Sequence, residues 1–294
     1  MSVLQLKLLR GCMEKDNFSA EQDNTSQPSE VVEYPDFDPD KAKKLRETEA
    51  TMLAIGERKM SFLNNIDAKI ASGELPDLYK DVGRKREIWS AGIEVIPAEQ
   101  IETTEEHLGR AFANHVSDRY RMNDGRLAYR HEVQFPEDIF EYDAGEQTIR
   151  HEFSHMLEGL NSDLVAGMNR LFEDENSYLG TCINEGMTDY MAELVSGQKN
   201  VYEKDEKNGK IPGYPRYYKF IKFLSSAGAT KVDMKYFVDA YCLSGDEGDQ
   251  AVATLKNKLA EAFPTENGTN PLDNLAAHNQ DQIEYWISTY TQNM

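Results

Sequence analysis

The sequence predicts an α+β protein in which a small sheet with an edge strand precedes a mostly helical half, and three observations carry that expectation. Strand-like stretches gather early, at Ile88 to Pro97 and Leu127 to Phe135, where β-branched and alternating apolar residues concentrate. From Gly145 onward apolar residues recur at helical spacing, and polar loops separate the segments. No internal repeat is present, so one unit is expected over residues 41–294, with a helical and sheet part at 41–143 and a helical part at 144–294.

Taken in order, Met1 to Cys12 contains four leucines interrupted by Lys7 and Arg10, so it lacks the continuous apolar core of a secretory signal. Leu9-Arg10-Gly11-Cys12 and the polar stretch behind it resemble the end of a bacterial lipoprotein signal, while a frayed polar N-terminus is the plainer reading, and the compartment stays open. Residues 13–40 are rich in Asp, Glu, Ser, Gln and Asn with Pro28, Pro35 and Pro39, and bury too little apolar surface to offset ordering, so 1–40 is expected to be a disordered segment or linker. Asp40 is placed to cap a helix from Lys41 to Ala71 with Leu45, Met52, Ile55, Met60 and Leu63 facing inward, and Gly73 ends it. Glu99 to Val116 returns to helical spacing.

Asn123-Asp124-Gly125 is a turn, after which Leu127, Tyr129, His131, Val133 and Phe135 alternate with Ala128, Arg130, Glu132 and Gln134, as a half-buried strand requires. Pro136 stops that strand and favours an edge position. Helices are then expected at Gly145 to Leu160, Asn184 to Val195, Tyr217 to Ser225, Lys231 to Leu243, Gln250 to Phe263 and Gln280 to Tyr290.

Charge narrows the classes of partner. The chain carries 32 basic and 52 acidic residues, a formal net of −20, and no local gathering of basic residues, so a nucleic-acid partner is not expected. No apolar run approaches the roughly 18 residues a membrane helix needs, so no integral membrane segment is expected. Three cysteines, Cys12, Cys182 and Cys242, form no C-x-x-C pair and suggest neither a disulfide framework nor a thiolate metal site. Cys182, near an apolar stretch, reads as a small core residue.

The chemistry concentrates at His151-Glu152-Phe153-Ser154-His155, an H-E-x-x-H motif. Residues four apart on an α-helix differ by about 40° around the axis and rise about 6 Å, so both imidazoles can reach one Zn²⁺ ion. Glu152 stands beside the metal, where it can take a proton from zinc-bound water. Ile149, Phe153, Met156, Leu157 and Leu160 supply an apolar stripe on the opposite side. Catalytic zinc keeps three protein donors, so a third is required. Asn184-Glu185-Gly186-Met187-Thr188-Asp189-Tyr190 offers one: Met187, Met191, Leu194 and Val195 form its buried stripe and leave Glu185 and Asp189 together on the other face. Glu185 can ligate while Asp189 accepts the free ring N–H of a ligating histidine.

These two segments resemble the gluzincin metallopeptidases, whose H-E-x-x-H is followed by a distant Glu on a second helix; thermolysin-like members carry N-E-x-x-S/T-D there, matched at Asn184, Glu185, Thr188 and Asp189. The resemblance covers roughly residues 127 to 196 and implies a zincin-like domain in which an edge strand pairs with extended substrate, a role that Ala128 to Phe135 would fill. Lethal-factor-like peptidases, which also use H-E-F-x-H, place a tyrosine seven residues before the second-helix Glu, and by that likeness Tyr178 would steady the oxyanion. Tyr190, Tyr217, Tyr218, Tyr241 and His278 are rivals that spacing does not exclude. The gap from His155 to Glu185 is longer than in the zinc aminopeptidases, and their G-x-M-E-N motif is absent, so an endopeptidase acting on peptide or protein substrate is expected. The alternative from another class is a catalytically silent binding or adhesion protein on the same scaffold. Oligomeric state is not legible.

Overall fold

The computed structural model describes residues 38–80, 82–97, 100, 113–123, 125–141, 145–161, 163–172, 177–199, 214–264 and 271–291. The chain divides into two units, Met1–Ala42 and Lys43–Met294, and the second holds everything that follows about the core and the site. Among the described residues it is mostly helical with one three-stranded mixed sheet, an α+β arrangement. The expected N-terminal segment lies outside the described residues up to position 37, and Pro39 and Asp40 already belong to the first helix.

That helix, α1 (Pro39–Ser72), is capped by Asp38 and not by Asp40: the Asp38 carboxylate accepts the N–H of Asp40 at 3.0 Å and of Lys41 at 3.2 Å. Its buried residues are Ile55, Phe62, Leu63 and Ile66, while Leu45, Met52 and Met60 of the expected stripe are exposed. Periodicity identified the helix but could not say how much of its length meets a partner. Gly73, at φ 77, terminates it in the left-handed region that a side chain disfavours.

The stretch expected to be a strand from Ile88 divides into helix α2 (Val82–Ser90) and strand β1 (Gly92–Ile96). Of the helix expected over Glu99 to Val116, residues 98–99 and 101–112 lie outside the described set, and Asn114 to Val116 belong to strand β2 (Asn114–Arg121). β2 pairs antiparallel with β3 (Leu127–Pro136), and β1 pairs parallel with β3, giving the order β1-β3-β2. β3 is therefore the central strand, and the expectation that Ala128 to Phe135 forms the edge is overturned. Pro136 is tolerated because it occupies the last rung, opposite Ile96. Among the described residues the edge beyond β3 is β2, whose polar sequence NHVSDRYR, with Val116 and Tyr120 exposed, lacks the alternation that marks a half-buried strand. The alternation expected for β3 holds from Tyr129 onward, with Tyr129, His131, Val133 and Phe135 buried, but not at its start, where Ala128 is buried and Leu127 only partly so.

The helical half comprises α3 (Gly145–Ser154), α4 (Tyr178–Ser196), α5 (Tyr214–Ser226), α6 (Met234–Cys242), α7 (Gly245–Ala262), α8 (Pro271–Ala276) and α9 (Gln280–Thr291). α3 stops at Ser154 and tightens into a 3-10 turn, His155–Leu157, instead of running to Leu160. The cause is tertiary. The buried Arg84 guanidinium donates to the carbonyls of Met156 and Glu158, and the Gly159 N–H donates to the Tyr241 carbonyl at 2.7 Å, so the backbone groups needed for another helical turn are engaged elsewhere. Gly159 also lies against the Leu243 carbonyl so closely that no side chain fits.

Candidate metal centre

Packing aims α3. Ile149, Phe153, Met156, Leu157 and Leu160 are all buried, and the Phe153 ring meets Phe135 of β3 edge-on at 5.8 Å and lies 5.9 Å from Phe62 of α1. With that face held by sheet and helix, His151, Glu152 and His155 turn the other way. α4 begins six residues before the expected Asn184, where the Ser177 hydroxyl oxygen accepts the Gly180 N–H, and it ends at Gly197 with φ 67. Ile183, Met187, Met191 and Val195 are buried, which turns Glu185 and Asp189 towards α3.

The three expected ligands converge. His151 Nε2 lies 3.0 Å from Glu185 Oε2 and 3.3 Å from His155 Nε2, and His155 Nε2 lies 3.8 Å from Glu185 Oε2. Donors at about 2.0–2.1 Å from a tetrahedral zinc are about 3.3–3.4 Å apart, a spacing that this triangle brackets. Among the described residues these are the only three His, Cys, Asp or Glu side chains whose donor atoms cluster within 4.8 Å in this way, so Glu152 and Asp189 stand outside the donor set.

Both imidazoles are oriented from behind. His151 Nδ1 lies 2.8 Å from Asp189 Oδ1, and His155 Nδ1 lies 2.6 Å from Glu158 Oε1. Each carboxylate holds a proton on Nδ1 and leaves the Nε2 lone pair free for a metal, the arrangement expected behind zinc-binding histidines. Glu158 is a residue of the candidate site that sequence reasoning missed, although its place three residues after His155 was a usable signal. Asn184 steadies it, donating from Nδ2 to Glu158 Oε1 at 2.9 Å while its Oδ1 accepts the Met168 N–H at 2.8 Å. Gln147 adds a longer bond to Asp189, at 3.3 Å.

The electrostatics follow from crowded charge in a buried place. Burial disfavours a charged His151, yet Asp189 and Glu185 outweigh it and carry the imidazole pKa well above its ordinary value; His155 moves the same way because Glu185 and Glu158 face it. Burial would raise Glu158, but the His155 ring beside it takes the carboxyl down to about 2. Glu152 moves up, because burial dominates the attraction of the two histidines. A carboxylate shifted up in this way is a better proton acceptor than an exposed one. Two imidazole lone pairs and one carboxylate facing a common point, with further carboxylates behind, suit a borderline divalent cation such as Zn²⁺.

These groups open on a cleft of about 310 Å³ lined by Glu152, Glu185, Asn169 and Asn184 together with His115, Ser117 and Arg119 of the edge strand β2. Tyr178 is not among its lining residues: its hydroxyl donates to Glu284 at 2.6 Å and lies 3.1 Å from the Tyr217 hydroxyl, placing it in a polar knot between α4, α5 and α9. Tyr241 is turned to Thr188 and the Ser154 carbonyl, Tyr218 to Glu193, and His278 to the Asn274 carbonyl, and neither they nor Tyr190 and Tyr217 line the cleft. Cys182 is buried, in keeping with a core role. No sequence signal pointed to His115, which lies on a strand without alternation.

Compared with family models, with curated proteins and with solved structures, the chain matches none.

Proposed function

We propose that the chain is a zinc-dependent peptidase, with His151, His155 and Glu185 holding Zn²⁺ and Glu152 acting as general base. The observation that carries this reading is the convergence of two Nε2 atoms and one carboxylate oxygen from separate helices at 3.0, 3.3 and 3.8 Å, with a carboxylate behind each ring. When bound, zinc lowers the pKa of a water molecule to about 7 and polarises a carbonyl. Glu152 takes the proton from the attacking water and returns it to the leaving amine. Asp189 and Glu158 hold the rings in the required tautomer. The reading includes a zincin-like, gluzincin-type architecture, supported by a mixed sheet whose edge strand β2 lines the cleft above α3 and α4. An extended peptide or protein segment would add to that edge through backbone hydrogen bonds, which suits an endopeptidase.

The test is the Glu152→Gln variant of the full chain. It is expected to retain stoichiometric zinc by elemental analysis and to lose chelator-sensitive cleavage of a mixed peptide library. Unchanged cleavage would refute the assigned base; zinc in the wild type with no turnover of any peptide would favour a silent binding protein on this scaffold.

A further inference from the structure

We propose that His115, on the edge strand β2, is a further catalytic residue that donates its Nδ1–H to the substrate carbonyl oxygen as negative charge develops there. The inference rests on the peptidase reading above, and it starts from strand register. Ser117 of β2 is paired with His131 of β3, and His115, two residues along, lies diagonally across from His131 on the same face. His115 Nε2 is 3.0 Å from His131 Nδ1. The His115 ring also stacks on that of His155, with centroids 5.3 Å apart and planes within 10°, and it lines the same cleft as Glu152 and Glu185. Yet His115 does not join the donors that meet at the metal position. It stands beside the reacting centre without occupying it.

The proton arrangement follows from what is buried around His131. Among the described residues, His131 Nε2 is buried with no hydrogen-bond partner. If it carried a proton, a buried donor would be left unsatisfied, at a cost of about 1–3 kcal/mol; a bare lone pair there is the milder defect. The proton of His131 therefore resides on Nδ1 and is donated to His115 Nε2. His115 must then carry its own proton on Nδ1, the one polar atom of its ring left for the cleft. Two of the other donors lining the cleft are engaged: Asn184 Nδ2 is held by Glu158, and Arg119 is drawn to Ser117 Oγ and the Leu164 carbonyl. Tyr178, the sequence candidate for this task, is tied to Glu284.

Two measurements on the full chain test the proposal. In ¹⁵N-histidine-labelled, metal-free protein at mildly alkaline pH, the His115 resonances are expected to show a protonated Nδ1 and a bare Nε2; a bare Nδ1 overturns the proposal whatever the activity. In zinc-loaded protein assayed on the mixed peptide library, His115→Ala is expected to lower kcat by about 10²–10³-fold with KM changed only a few-fold and zinc content intact, and His115→Gln, which keeps an N–H, to recover part of the loss. A wild type that cleaves while His115→Ala cleaves equally fast removes only this role. A zinc-loaded wild type that cleaves no peptide removes the peptidase reading and this role with it. Should His115→Ala fail to fold, the tautomer in the wild type and the turnover of His115→Gln still support or overturn the role.

Discussion

The carboxylates behind the two histidines distinguish this centre from an incidental pair of imidazoles. Glu158 accepts from His155 at 2.6 Å and is itself held by Asn184, so neutralising it leaves the first ring of donors in place while loosening the orientation of one. Glu158→Gln is expected to weaken zinc binding by about 10–100-fold, as read by competition against a fluorescent chelator. Unaltered affinity would show that Glu158 does not orient the ligand. A second residue-scale consequence concerns His131, which burial holds well below its ordinary pKa, with Arg84 and His155 acting in the same direction. A depressed histidine pKa means that the unfolded chain binds more protons below about pH 6.5, so stability is complete above that pH and declines as pH falls through it. Comparing urea midpoints at about pH 7.5 and about pH 5.5 in chelator, wild type should lose about 1.4 kcal/mol more than His131→Gln. Parallel losses in the two proteins would contradict a buried neutral His131.

At the scale of elements, the site depends on how closely α4 approaches its neighbours. Gly186, adjacent to Glu185, faces α5, and a Cβ there would lie 2.5 Å from the Tyr217 carbonyl oxygen. Backbone cannot yield as a flexible side chain does, so Gly186→Ala must push α4 and α5 apart. It is expected to destabilise by about 1–3 kcal/mol and to weaken zinc binding by displacing Glu185. Gly56 in α1 is the control, since among the described residues nothing lies within 4 Å of a Cβ built there. Gly56→Ala should stabilise by about 0.5–1 kcal/mol, because only the entropy of the unfolded chain changes. Thermal melts of both variants check the pair, and like-signed shifts would count against the close approach of α4 to α5.

For the whole molecule, the donors come from α3 with the 3-10 turn that continues it and from α4, which are separated in the sequence, so a bound ion cross-links the folded state alone. Zinc at about 100 times its dissociation constant is expected to raise the unfolding free energy by about 2.7 kcal/mol, seen as a rise in Tm that chelator reverses and His151→Ala abolishes. The absence of any shift in wild type would argue that the three donors do not form a zinc site. Among the described residues no helix is long and apolar enough to cross a membrane, in line with the lack of apolar runs in the chain.

Much of this molecule was written in short-range pattern. The H-E-x-x-H and N-E-x-x-T-D spacings place His151, His155, Glu185 and Asp189 opposite apolar stripes, and those stripes are buried apart from Leu194, which is partly buried. The α+β order and the inward face of β3 follow from the same local rule. What depended on long-range contact was not legible: which strand lies at the edge, where α3 stops, that Glu158 backs His155, and that His115 reaches the cleft. An edge strand largely exposed along its length needs no alternation. A helix ends early only because Arg84 and Tyr241, far away in sequence, capture its backbone groups. Periodicity records which side of an element must leave water; only tertiary packing decides what it meets there.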